Sequence, residues 1–239
     1  MSLRMIRALT FDVFGTCLDW RTSMRAHCAQ LGRNAGIEAD WEHLMLRWRS
    51  GYRPAMNRVL AGTLPWTPFE PLHRHTLDEL VPELGLASIP EGMRDAMVAG
   101  WRRLDAWPDT VPGLCRLKTR FTIAPLSNGN FAMLVALSKY AGLPWDCVLS
   151  AEFARRYKPD PAVYSMASSY LEVPFDQLLM VAAHNYDLLA ARALGMKTAF
   201  VLRAQEFGPG QTTDLNAEAA YDYVARDFNH LAELLECPA

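Results

Sequence analysis

Residues 6–16 read Ile6-Arg7-Ala8-Leu9-Thr10-Phe11-Asp12-Val13-Phe14-Gly15-Thr16, a short and mostly apolar run holding one acid and broken by Gly-Thr. An apolar run of this length, closed by a turn signal, predicts a strand over 6–13 that is buried on both faces of a sheet. The acid falls at the carboxyl end of that strand. In a parallel α/β sheet the ligand crevice lies beyond those ends, so Asp12 stands where chemistry is to be sought.

Downstream of Gly15-Thr16 the pattern changes period. A long helical stretch is expected from about 21 to 62, with Trp41, Leu44, Met45 and Trp48 recurring at three- and four-residue steps on one face. Gly62-Thr63-Leu64-Pro65 ends it. More helix is expected over 71–80 and 91–101, and there is no strand pattern between about 20 and 106. That stretch reads as a helical insert after the first strand. Beyond it, strands are expected over 121–126, 147–150, 178–183, 198–202 and 223–225. Helices are expected over 131–142, 159–171, 187–195 and 228–235. Alternation of this kind implies a parallel sheet with right-handed crossovers. Pro125 is awkward inside a central strand because it cannot donate to the ladder, and the end of the strand is the place expected for it.

The 239 residues suit one large α/β domain, or a core with a smaller insert. With 51% hydrophobic residues, 21% charged residues and a net charge of -2, a sizeable core can be buried. Nothing in that balance calls for nucleic acid or an anionic membrane as partner. The five cysteines are odd in number and far apart, with no CxxC and no Cys/His cluster, so neither zinc nor a disulfide framework is supported. Reduced thiols in a cytoplasmic protein are the simple reading. Residues 1–7 hold no long apolar run, and no 18 consecutive apolar residues occur anywhere; no signal peptide or transmembrane helix is expected. Met5 is an alternative start to Met1-Ser2-Leu3.

Four polar clusters fall at expected strand ends: Asp12, Ser127-Asn128, the region of Lys158, and residues 184–187. Phe11-Asp12-Val13-Phe14-Gly15-Thr16 resembles the first motif of the haloacid dehalogenase superfamily. Leu126-Ser127-Asn128 resembles its second, Lys158-Pro159 its third, and Ala183-His184-Asn185-Tyr186-Asp187 its fourth. Their order and spacing cover nearly the whole chain. The resemblance implies an α/β fold: a Rossmann-like core of residues 1–19 and 107–239, with a helical cap domain, residues 20–106, inserted after the first strand.

It also implies a reaction. Asp12 would attack the substrate and form a covalent ester, which water then hydrolyses; a carboxylate ionised at neutral pH and held in line can do this. Lys158 would keep Asp12 ionised, and Ser127 with the amides around Asn128 would bind a substrate carboxylate. Most members of the superfamily are magnesium-dependent phosphatases. They carry a second acid where this chain has Phe14 and a metal-binding acid where it has Ala183. Without the first, an alkoxide leaves poorly protonated; without the second, a hard cation loses an oxygen ligand. A halide needs neither. Both departures favour the 2-haloacid dehalogenase branch, with no metal and no cofactor.

Within that branch, Arg49 resembles the arginine that receives the halide. Tyr164, six residues after Lys158, matches a substrate-site tyrosine, and Asp187 matches the acid that orients the lysine or the water. Phe14 and Asn185 complete the implied substrate contacts. His184 stands where the L-2-haloacid enzymes have asparagine. It could donate to a substrate carboxylate or to the ester, activate water if neutral, or be structural. Arg49 as a solvated helix residue and Tyr164 as core packing remain open on the residues alone. The cluster of Trp20, Trp41, Trp48, Trp66, Phe69, Trp101 and Trp107 is core or the lining of an apolar pocket. The implied activity is hydrolytic removal of halide from a short 2-haloalkanoic acid, of haloacetate or 2-halopropionate type, by a chain whose relatives suggest a homodimer. A magnesium-dependent phosphatase and a non-catalytic binding protein on the same fold are the rivals.

Overall fold

The first strand, β1 (Ala8–Phe11), is buried at every residue. In this computed structural model, which describes residues 6–238, it sits inside a six-stranded parallel sheet. The alternative start at Met5 lies outside the described residues. The other strands are β4 (Thr122–Ser127), β5 (Leu149–Ser150), β6 (Leu178–Ala182), β7 (Lys197–Val201) and β8 (Tyr223–Ala225), in the order β5-β4-β1-β6-β7-β8. The chain runs outward from β1 in one direction to β5, then returns to its other side at β6. That reversal makes the end of β1 a topological switch point, where a crevice opens. Phe11 is paired with Pro125 on one side and with Val181 on the other. Residues just beyond those three therefore emerge side by side at one end of the sheet.

Alternation along the strands sends successive residues to opposite faces. Leu9, Phe11, Ile123, Leu179 and Val181 join one buried cluster, and Ala8, Ala124, Leu126, Leu178 and Met180 join the other. Pro125 lies within β4, not at its end. Ile123 donates its N–H to the Asp146 carboxylate on the β5 side, and residue 125, two further on, faces the same way. The missing donor thus points at the two-residue edge strand, where there is little ladder to lose.

The stretch 21–62 forms two helices: α1 (Trp20–Ala35) and α2 (Trp41–Leu60). Gly36 breaks them by taking φ +66°, a left-handed cap that L side chains resist, and the Asp40 carboxylate caps α2 by accepting from the His43 N–H. Leu44, Met45, Trp48, Tyr52, Met56 and Val59 form the buried face of α2. Two more helices follow, α3 (Phe69–Glu83) and α4 (Glu91–Gly100). Short β-structure lies at the edges of this helical stretch, against expectation. β2 (Leu18–Asp19) pairs antiparallel with β3 (Asp105–Ala106), so one small ribbon joins the points where the chain leaves and rejoins the sheet. Two residues per strand are too few for alternation to register in a sequence. The sequence pattern also missed α5 (Thr110–Lys118), which packs on α9 (Phe228–Leu234). The remaining helices are α6 (Phe131–Ala141), α7 (Pro161–Leu171) and α8 (Asn185–Ala193). α8 starts two residues before the expected 187, which puts Asn185 and Asp187 in its first turn. Among the described residues no helix is long and apolar enough to cross a membrane.

Candidate active site

Asp12 is the first residue past β1, and three side chains converge on its carboxylate. Oδ1 lies 3.0 Å from the Lys158 Nζ; Oδ2 accepts from the Thr16 hydroxyl at 2.7 Å and lies 2.9 Å from His184 Nδ1. Thr16 reaches Asp12 because the chain turns back at Gly15, whose φ is +89°. That turn has no room for a side chain, since a Cβ on Gly15 would lie 2.2 Å from Glu206 Oε1. Lys158 is buried and also bonds Asp187 through Nζ. Its backbone N–H donates to Asn128 Oδ1 at 2.7 Å. Asp187 accepts a second bond from the Tyr164 hydroxyl, 2.6 Å to Oδ1. On the far side of His184, Nε2 lies 2.9 Å from Glu206 Oε2, and Glu206 Oε1 accepts from Trp20 Nε1 at 2.9 Å.

Burial and charge compete throughout this cluster. Burial alone would raise Asp12, but the Lys158 ammonium and the bond from His184 hold it well below the usual carboxylate range. Burial likewise opposes the charge on Lys158, and Asp12 with Asp187 overcomes it, pushing the ammonium upward. Asp187, fully enclosed, stays above the usual carboxylate value despite Lys158. His184 would be lowered by burial; the Glu206 charge and the bonds to Asp12 and Glu206 instead push it up to about 10.

The structure brings Asp12, Lys158, Asp187 and His184 into one bonded group. Tyr164 is fully buried and reaches that group through Asp187, whose carboxylate it holds. Asn128 spends Oδ1 on Lys158 and points Nδ2 at Met56 Sδ, 3.3 Å away. Ser127 accepts from the Gly129 N–H at 3.3 Å, and its O–H is left to donate. Asn185, expected as a substrate contact, is hydrogen-bonded to the following loop. Its Nδ2 donates to Asp214 and to the Asn216 carbonyl, and its Oδ1 accepts from the Glu218 N–H and the Tyr221 hydroxyl. Every polar atom of the amide is spent on pinning the 214–221 loop, so it has nothing to offer a substrate.

Phe14 stacks on Phe69, ring centroids 5.2 Å apart. Together with Arg49, Tyr52, His73 and Trp101 these two rings line a cavity of about 10 Å³, roughly the room of one water-sized particle. Three polar side chains in that lining are buried without a partner: Arg49 at Nε, His73 at both ring nitrogens, and Trp101 at Nε1. Burial and the nearby Arg49 cation hold His73 well below its usual value, so it is neutral. Arg49 ties the cavity to the carboxylate group, standing 4.9 Å over the Tyr52 ring and 3.8 Å from Glu206.

The sequence pointed to neither Glu206 nor His73, and it placed Trp101 only in an aromatic cluster that is core or pocket lining. A signal for the first did exist: Glu206 follows the end of β7, a carboxyl end of the parallel sheet. The donor set does not suit a divalent cation. Asp12 and Asp187, the carboxylates that would hold one, are bridged by the Lys158 ammonium, and position 183 is alanine. Among the described residues no group of three or more His, Cys, Asp or Glu side chains is arranged to take a metal ion.

Comparison with known proteins gives a consistent neighbourhood. The family model described as haloacid dehalogenase-like hydrolase matches residues 6–195. The (S)-2-haloacid dehalogenase 1 of Pseudomonas sp. (strain CBS-3) is 32% identical over 202 residues, covering 83% of this chain and 85% of that protein. The solved L-2-haloacid dehalogenase PA0810 superposes with a TM-score of 0.93 at 45% identity, covering 97% of this chain and 99% of its own. The defluorinating L-2-haloacid dehalogenase Rha0230 superposes with a TM-score of 0.94 at 39% identity, covering 97% and 96%.

Proposed function

We propose that this chain, which belongs to the haloacid dehalogenase-like hydrolases, removes halide from short 2-haloalkanoic acids by hydrolysis through an ester on Asp12. The observation that carries this reading is the convergence of Lys158, Thr16 and His184 on one ionised carboxylate, at the switch point of the sheet and near a small aromatic cavity lined by a guanidinium. Asp12 attacks the halogen-bearing carbon in line, and the halide leaves toward Arg49. A halide ion needs donors where it arrives, and the unpartnered Arg49 Nε, Trp101 Nε1 and His73 supply them. The Ser127 hydroxyl and the amides that follow it take the substrate carboxylate. Asp187, steadied by Tyr164 and Lys158, takes the proton of the water that opens the ester; an acid held above its usual value suits that exchange.

In this reading residues 20–106 are the cap, supplying the arginine and most of the aromatic wall, and residues 1–19 with 107–239 are the core, supplying the nucleophile. A cytoplasmic homodimer acting on a free small acid completes the proposal. Halide release from chloroacetate, fluoroacetate and both 2-chloropropionates, measured in EDTA, tests the reaction. A single turnover in heavy-oxygen water should put the label into Asp12. Phosphate release that depends on magnesium, with no halide released from any of these acids, would replace the proposal with a phosphatase. An Asp12→Asn variant retaining every measurable function would leave only a binding role.

A further inference from the structure

We propose that His184 acts as a fixed cation, not as a base, and that with Thr16 it forms the oxyanion site for hydrolysis of the Asp12 ester, Glu206 being the residue that keeps its proton in place. The proposal rests on the dehalogenase reading above and assigns atoms within it.

The two oxygens of Asp12 are not equivalent. Oδ2 accepts from the Thr16 hydroxyl and faces His184 Nδ1, whereas Oδ1 meets Lys158 alone. The direction of the Thr16 bond is settled, because the same hydroxyl accepts from the Ala183 N–H at 3.0 Å and its proton is left for Asp12. His184 lies between two carboxylates, Asp12 on Nδ1 and Glu206 on Nε2, each at 2.9 Å. Ionised carboxylates only accept, so both ring nitrogens must donate and the ring is an imidazolium. Oδ1, with the free lone pairs, is the attacking atom, and Oδ2 becomes the carbonyl oxygen of the ester with its two donors already in place.

The second half-reaction then balances as follows. Water bonds to Cγ of Asp12 and gives a proton to Asp187, while the Cγ–Oδ2 π pair moves onto Oδ2. That oxyanion is held by Thr16 O–H and by the positive Nδ1–H of His184. Collapse restores the carbonyl and breaks the Cγ–Oδ1 bond. Oδ1 leaves as the hydroxyl of the product, with the proton from Asp187. Asp12 sheds the remaining proton to solvent, which closes the sum as haloacid plus water giving hydroxyacid, halide and one proton.

Esterification removes the charge of Asp12, and a cation supported by Asp12 alone would then be exposed to loss of its proton. Glu206 takes no part in the esterification and keeps its contact with Nε2 through this step. Its charge is the larger of the two carboxylate influences that raise His184, and the Trp20 N–H fixes its other oxygen. The remaining charged and titratable groups around the ring are Lys158 and Asp187 beyond Asp12, Arg49 3.8 Å from Glu206, and Tyr186, which stacks on His184 at 5.8 Å under the Arg53 guanidinium. Burial pushes the Tyr186 phenol upward, so it stays neutral. Glu206 is thus a positioning residue, acting through His184.

The test is Glu206→Gln, which keeps an acceptor for Trp20 and removes the charge. With chloroacetate, rapid quench should show a halide burst of one equivalent per site in the wild type and in the variant. Between about pH 6 and pH 9.5 wild-type turnover should stay level, while that of the variant falls on the order of 10-fold or more as pH rises and the ester mass accumulates on residue 12. A base would give the opposite slope, with turnover of the variant rising with pH. Adding His184→Asn should flatten the slope of the variant. Histidine-selective nitrogen NMR of the wild-type protein near pH 8 should find both His184 nitrogens protonated. A bare nitrogen there, or turnover of the Glu206→Gln variant that is level or rising with pH, overturns the inference. Absence of any halide release, in the first turnover or in the steady state, defeats the dehalogenase reading instead, and the NMR result still decides the state of His184.

Discussion

Lys158 is the residue on which two buried carboxylates depend. Its ammonium bonds both Asp12 and Asp187, and all three side chains are almost wholly enclosed. Lys158→Met would leave two uncompensated acids in a low-dielectric interior. The expected cost is about 3–5 kcal/mol in urea unfolding at neutral pH, shrinking as the pH falls and the acids take up protons. A cost that is unchanged in acid would mean the pair is not what the lysine supports. His184 makes the opposite kind of pH statement. Its folded value is raised from the usual 6.5 to about 10, so its contribution to stability is fully present below about pH 6.5 and lost as pH rises toward 10. Asp12, held low, contributes above its usual 3.8 and loses that contribution only in acid. The urea midpoint of the wild type should therefore decline between neutral and alkaline pH, and His184→Asn should remove that decline. An equal decline in the variant would assign it to other groups. Asp12, Lys158, His184 and Asp187 were all legible from the sequence, because each lies in a motif at a strand end. Glu206 had only the weaker signal of following the carboxyl end of β7, since its role comes from the approach of its loop to a bare Gly15, which no local pattern records.

Among elements, legibility followed length and period. The buried face of α2 stands out in the sequence at its start, where Leu44, Met45 and Trp48 recur at helical spacing, and in the structure the same face runs on through Tyr52, Ala55, Met56 and Val59. The α1–α2 break was hidden, because a single Gly36 had to outweigh helix-compatible residues on both sides. β2 and β3 left no trace at two residues each, and Pro125 defied strand propensity only because β5 is so short an edge. The wall of the cavity shows the same limit. Arg49 and Tyr52 come from α2, His73 from α3, and Trp101 from the residue after α4, so only packing brings them together. Trp101 makes a specific prediction there. Its indole N–H is buried and has no hydrogen-bond partner among the described residues. Trp101→Phe loses no hydrogen bond but leaves part of a buried ring's volume empty, so it should lower stability by about 1–3 kcal/mol. If that N–H receives the departing halide, turnover should also fall, by about 10-fold or more, and quenching of tryptophan fluorescence by added chloride or bromide should weaken. Full activity with unchanged quenching would place the halide elsewhere.

At the scale of the whole molecule, the sheet and the helical segment each hold half of a site. β1 and its turn present Asp12 and Phe14; the helices present Arg49, Phe69, His73 and Trp101; the ribbon of β2 and β3 joins the two where the chain crosses between them. The Phe14–Phe69 stack is where the halves touch across the cavity. In the dehalogenase reading proposed above, that contact limits the length of the substrate chain, because neither ring can retreat without losing the other. Phe69→Ala should therefore do two things at once. It should lower stability by about 3–5 kcal/mol, as removal of a buried phenyl ring does. It should also open the cavity along the substrate chain, raising kcat/KM for 2-chlorobutyrate relative to 2-chloropropionate by about 10-fold or more, the discrimination one methylene commands in an apolar pocket. Measured on folded protein at low temperature, the ratio is insensitive to the fraction unfolded, since both substrates see the same active molecules. If the ratio stays at its wild-type value while stability falls, Phe69 is core packing and the limit on chain length lies nearer Ser127, at the carboxylate end of the substrate.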